Sequence, residues 1–213
     1  VAEMQATSAG TQTDSAAPRA LIVYAHPQHQ HSYGNRELLA AVQGLEQVTV
    51  HDLYEEYPDF HIDVAREQAL LLAHDLIIFQ FPLYWYSAPA LLKEWQDRVF
   101  DFGFAYGQNV QQEQQSQALA GKALWLVITA GGPVNSFRDE GINRRPLNDY
   151  LLPFEQSAAL CDMRYLEPFA VYRIRKLTKP YLQERAEEYR AALLQHLRDL
   201  DAPHPHPQEN ADA

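Results

Sequence analysis

Short apolar runs alternate with longer amphipathic stretches along most of the chain. Ala20 to Ala25 (ALIVYA) is a near-continuous apolar run closed by His26-Pro27, and Leu76 to Phe81 (LIIFQF) is another, stopped by Pro82. Runs of this length without polar alternation are expected of strands buried on both faces of a parallel sheet, and proline ends them because it lacks a backbone donor. Ala123 to Thr129 (ALWLVIT), closed by AGGP, reads the same way, whereas Val48 to Leu53 alternates. A fifth strand falls between Tyr165 and Tyr172, interrupted by Pro168.

Helical spacing fills the intervals. Leu38, Leu39 and Val42 recur at helical steps in NRELLAAVQGL, with Ser32 or Asn35 available as a cap, and Asp63 can cap REQALLLAHD after an irregular YPDF turn. Between Pro89 and Phe100, Leu91, Leu92, Trp95 and Val99 form an apolar face opposite Lys93, Glu94, Gln96 and Asp97. GFAYG suggests a specific turn before the polar, Gln-rich excursion from Gln108 to Gln117. Leu147 to Leu160 can be helical only if Pro153 kinks or divides it. From Pro180 to Leu200, Leu182, Ala186, Tyr189, Leu193, Leu197 and Leu200 step by four and three, predicting a terminal helix.

Strands alternating with helices predict one α/β domain, a parallel sheet with helices on both faces, of Rossmann or flavodoxin type. The loop after the first strand separates the two. A dinucleotide fingerprint would read GxGxxG there, but the chain reads AHPQHQHSYGNR with Gly34 alone, and no P-loop lysine motif is present. Ser32, Asn35 and the free N–H groups of a helix start can still hold one phosphate, which favours a mononucleotide such as FMN.

The third strand runs directly into Leu83, Tyr84, Trp85 and Tyr86. Large flat side chains at the carboxyl end of a strand, where open α/β sheets bind ligands, suit a planar cofactor; packing beneath a neighbouring loop is the competing reading. His26, His29 and His31 are also compatible with a metal, but one ligand loop without a nearby Cys or carboxylate is weak evidence, and no metal is expected.

Charge and size narrow the partners. The chain has 213 residues and a formal charge of −11, enough for one core and unsuited to nucleic acid or anionic lipid through bulk electrostatics. Arg138, Arg144 and Arg145, or Arg173, Arg175 and Lys176, could meet a phosphate or an acidic surface, although a solvated charged face is the plainer reading of the second group. The lone Cys161, among Ala158, Ala159, Leu160 and Met163, reads as a small core residue, and one cysteine fits a reducing cytoplasm. No apolar stretch reaches the roughly 20 residues that span a bilayer. Residues 1–18 read as a flexible leader, 19–201 as the folded domain, and 202–213 as a disordered tail carrying His204 and His206.

Taken together, LIVYAHP with SYGNR, HDLYEEYPDFHID, FQFPLYWYSAPALLKEWQDRVF and VITAGGP resemble the flavodoxin-like NAD(P)H:quinone oxidoreductases. Within them the chain is most similar to the Kef-type ancillary flavoproteins, the KefG group especially, which activate glutathione-gated potassium efflux antiporters. The resemblance implies a five-stranded parallel sheet of order 2-1-3-4-5. It implies FMN, with FAD left open, and NAD(P)H as hydride donor to a quinone in ping-pong transfer. His26, Ser32, Tyr33, Gly34 and Asn35 would hold the phosphate and ribityl chain, Leu83, Tyr84, Trp85 and Tyr86 would run along the ring, and Thr129, Ala130, Gly131 and Gly132 would meet its other edge. It further implies a homodimer, to which the Trp95, Val99 and Phe100 edge would contribute unless it is core, and a cytoplasmic protein brought to the inner membrane by its antiporter.

Two departures qualify the implied turnover. The turn after the fourth strand has Ala130 where many relatives have a second threonine, and Phe137 and Asn143 stand where a catalytic Tyr and His would be expected. Losing an acid–base pair can lower a rate about 100-fold or more. A regulatory, antiporter-binding flavoprotein with little or no turnover is therefore the alternative.

Overall fold

The computed structural model describes residues 17–107 and 117–202. Nearly all of the leader and tail, with His204 and His206, and the excursion from Gln108 to Ser116 lie outside them.

The sheet is built from β1 (Ala20–Tyr24), β2 (Val48–Asp52), β3 (Leu76–Pro82), β4 (Ala123–Thr129), β5 (Arg164–Tyr165) and β6 (Phe169–Val171), all paired in parallel. Its order is β2-β1-β3-β4-β5, with β6 pairing further along β4. The expected fifth strand is thus two short pieces in one sheet position, separated by a break containing Pro168, which cannot donate to the ladder. β2 ends at Asp52, whose side chain accepts from the N–H groups of Tyr54 and Glu55 and starts the one-turn helix α2 (Leu53–Glu56).

Alternate side chains of the central strands feed two cores. Ile22, Ile78, Trp125 and Val127 pack with Leu38 and Val42 of α1 (Tyr33–Val42) and with Ala186, Tyr189 and Leu193 of the C-terminal helix, Lys179–Asp201. Val23, Phe79, Phe81 and Leu126 pack on the opposite face with the helices Val64–Leu72 (α3), Ala90–Val99 (α4) and Leu152–Leu160 (α5). The C-terminal helix is α6.

Local chemistry adjusts the sequence reading at several points. Asp63 caps α3, its carboxylate accepting from Arg66 N at 3.1 Å. Gln96, assigned to the polar face of α4, is buried, and the edge formed by Trp95, Val99 and Phe100 is core, unavailable to a second subunit. Pro153 divides the 147–160 stretch: a 3-10 turn, Leu147–Tyr150, precedes α5, and the proline sits in the first turn, where its missing N–H costs nothing. The GFAYG turn carries positive φ at Gly103 and Gly107. Cys161 is buried, and burial pushes its thiol up to about 11.

One polar cluster is enclosed beneath the sheet. Glu67 of α3 is fully buried, accepting from Tyr57 Oη at 2.5 Å and from Trp95 Nε1 at 2.7 Å. His51 Nε2 lies 2.8 Å from Oε2, at ion-pair distance although its alignment falls short of a hydrogen bond. Burial alone would raise the Glu67 carboxyl, but contacts from His51, Tyr57 and Trp95 together hold it below its ordinary value. Glu67 therefore ties β2, α3 and α4 together.

Candidate functional site

The carboxyl ends of β1, β3 and β4 open into a cleft of about 700 Å³. Eight to eleven residues beyond the end of β1, Ser32, Tyr33, Gly34 and Asn35 line it with His26; Leu83 and Tyr84 enter from the loop after β3, and Thr129 and Gly131 from the end of β4. Three sequence-distant motifs therefore converge. A smaller space of about 260 Å³ takes the remaining expected residues, Trp85, Tyr86, Ala130 and Gly132, together with Phe137 and Asn143. Leu83 and Gly131 line both spaces, so the two adjoin.

A buried hydrogen-bond network fixes the floor. Asn35 Nδ2 donates to Ser32 Oγ at 3.1 Å and to Thr129 Oγ1 at 3.0 Å. Its Oδ1 accepts from Gln80 Nε2 at 3.4 Å, while Gln80 Oε1 accepts from Tyr189 Oη at 3.2 Å. Ser32 occupies the N-cap position of α1, but its side chain does not cap, nor does Asn35, which lies within the helix. The first N–H groups of α1 have no intrahelical acceptor, as at any helix start, and they border the cleft. His26 Nδ1 accepts from Gln28 N at 3.1 Å. Burial first, then the neighbouring His29, lowers its basicity, and with Nδ1 accepting, Nε2 is the ring nitrogen left to donate. His29 Nδ1 instead pairs with Tyr24 Oη at 3.0 Å, and His31 lines the cleft.

The aromatic loop is not packed into the core. Tyr84 and Ser87 exchange backbone hydrogen bonds of 2.9 and 3.0 Å, and the two residues between them, Trp85 and Tyr86, have φ of 49° and 65°. Left-handed backbone at two bulky residues is sparsely populated and concentrates at ligand sites. It turns Trp85 outward to 94 % exposure. Tyr86 stacks on Tyr150 with centroids 5.0 Å apart, and its hydroxyl donates to Asn143 Oδ1 at 3.3 Å.

Small residues shape the opposite wall. A Cβ at Gly131 would meet nothing within 4 Å and would project into open space, taking room from the cleft. The residues thus fit a planar flavin carrying one phosphate: an apolar and aromatic slot, a glycine wall, and donors gathered at a helix start.

The sequence reading missed Ile174 and Leu177, which line the larger cleft, and Ser136 and Ile142, which line the smaller. Arg175, of the group read as able to meet a phosphate or, more plainly, as a solvated face, is exposed and also lines the larger cleft. Its place just beyond the carboxyl end of the last strand piece, where such sheets bind ligands, is the signal that favours the first of those readings.

Residues 18–197 match the family described by its flavodoxin-like fold. The chain belongs to that family. It is 51 % identical over 172 residues to KefG, the glutathione-regulated potassium-efflux system ancillary protein of Serratia proteamaculans, covering 81 % of this chain and 91 % of that protein. General stress protein 14 of Treponema denticola, solved in complex with FMN, is 35 % identical with a TM-score of 0.74, over 86 % of this chain and 99 % of that one. An NADPH-quinone reductase from P. pentosaceus is 35 % identical with a TM-score of 0.73, over 82 % and 96 %. Among the described residues, no helix of this family member is long and apolar enough to cross a membrane.

Proposed function

We propose that this chain is a cytoplasmic flavoprotein that binds FMN and reduces quinones with NAD(P)H as an ancillary activator of a glutathione-gated potassium efflux antiporter. The observation that carries the reading is the convergence of His26, the α1 start, Leu83, Tyr84, Thr129 and Gly131 on one cleft that continues into an aromatic slot. The likeness to an FMN-bound structure supports the cofactor, the likeness to an NADPH-quinone reductase supports the chemistry, and the identity to KefG supports the antiporter role.

In this reading the α1 N–H groups, His26 and Ser32 take the phosphate, and Thr129 with the Ala130–Gly132 turn meets the ring edge. A bound flavin supplies two-electron hydride chemistry. The smaller space, between Trp85, Tyr86 and Ile142, receives nicotinamide and then quinone in alternation. Trp85 and Ile142, 94 % and 85 % exposed beside that space, face a second copy of the chain that completes the slot.

A second reading, a regulatory flavoprotein with little turnover, is favoured by one feature. The slot is walled by Phe137, which has no proton to give, and by Asn143, whose side-chain oxygen is engaged by Tyr86. Both readings require the flavin. Reconstitution of the purified chain with FMN, followed by desalting and a visible spectrum, tests them together: a stoichiometric flavin complex supports them, and loss of all flavin refutes both. Retention on the antiporter's cytoplasmic domain tests docking.

A further inference from the structure

Arg175 stands apart from every other residue around the larger cleft. The lining includes histidines, hydroxyls and two amides, but among the described residues no carboxylate and no lysine, so Arg175 is the only permanently charged side chain they contribute, in a protein of formal charge −11. Among the described residues it makes no hydrogen bond or ion pair. An exposed guanidinium with no protein partner at the rim of a cleft is available to a ligand.

Its position is fixed from two sides. Arg173 N donates to Gly132 O at 2.9 Å and Ile174 N to Ala130 O at 3.1 Å, which fastens the segment to the turn after β4. Arg173 adopts φ 55°, a left-handed conformation that redirects the chain immediately before Arg175. On the other side Ile174 lies against the start of α1, so closely that a Cβ on Gly34 would fall 2.1 Å from its Cδ1. Arg175 is therefore held next to the helix start whose N–H groups favour an anion.

The structure assigns Arg175 as the residue that reads the terminal phosphate monoester of the flavin, discriminating FMN from the phosphate-free riboflavin. This rests on the flavin reading above and deepens it. A guanidinium offers a phosphate two parallel N–H donors, which an ammonium does not, so lysine restores only part of the effect. In that reading the ring is held along Leu83 to Tyr86 and the Thr129–Gly132 turn, by residues other than Arg175, so riboflavin, which keeps the ring and lacks the phosphate, reports on the ring contacts alone.

The test is a fluorescence-quenching titration of apoprotein with FMN and with riboflavin, for wild type, Arg175→Ala and Arg175→Lys. FMN affinity is expected to fall 10- to 100-fold in Arg175→Ala, with an intermediate loss in Arg175→Lys and riboflavin affinity unchanged within twofold. The FMN preference of wild type should also weaken with added salt. Equal loss for both ligands, or no loss for either, overturns the assignment. Wild type that binds FMN and riboflavin equally overturns it while leaving the flavin reading intact; wild type that binds neither overturns the flavin reading, and this assignment with it.

Discussion

Asn35 and Thr129 are separated by 94 positions in sequence and joined by a buried 3.0 Å hydrogen bond. That bond fastens the start of α1 to the end of β4, the two places where the candidate cofactor's phosphate and ring edge are expected to rest. Replacing Asn35 with Ala leaves Ser32, Gln80 and Thr129 without their shared partner. An unsatisfied buried polar group costs about 1–3 kcal/mol. Asn35→Ala should therefore lose about 2 kcal/mol in urea denaturation and release FMN more readily; unchanged stability would show that water replaces the amide without penalty.

Glu67 is expected to govern acid stability. Its folded carboxyl sits below its ordinary value of 4.5, so its contribution is complete above that pH and is lost as pH falls through the lower folded value. Breaking a buried pair by removing one charge costs about 3–5 kcal/mol. Glu67→Gln should melt well below wild type at pH 7, and the gap should close toward pH 3. A gap that persists on acidification would contradict a role for the charge.

Gly34 is the contact point between α1 and the segment bearing Arg175. Gly34→Ala should cost about 1–3 kcal/mol by overpacking against Ile174. Shortening the neighbour in Gly34→Ala/Ile174→Ala should recover part of the loss, measurable as a coupling in a double-mutant cycle. Additive losses would mean that the two residues do not press on one another.

The exposed Ile142 beside the slot gives the proposed dimer a simple check. Sedimentation of wild type should show a dimer and Ile142→Glu a shift toward monomer. A wild-type monomer at micromolar concentration would remove the second copy from the account.

The strands of the central sheet were legible because β1, β3 and β4 are apolar runs ended by proline or glycine, and α6 because its apolar residues keep helical steps from Leu182 to Leu200. The site was legible wherever a motif followed such a strand. What stayed hidden depended on distant partners. Gln80 lies within an apolar run and is satisfied by Asn35 and Tyr189, 45 and 109 positions away, and Glu67 looks like any polar helical residue until His51, Tyr57 and Trp95 surround it. The left-handed turn at Trp85 and Tyr86 has no glycine to announce it. Arg175 was legible as one of a basic group able to meet a phosphate, but not its place at the cleft, because the last strand is broken and the carboxyl end that positions it is not visible as a continuous run.

The central claim is two-electron turnover through a bound flavin. Anaerobic titration of the FMN-loaded protein with NADPH, followed by a quinone, tests it most directly. The expected result is bleaching of the flavin's visible absorbance by NADPH and its return on adding quinone. Flavin that stays oxidised with excess NADPH and NADH would contradict turnover.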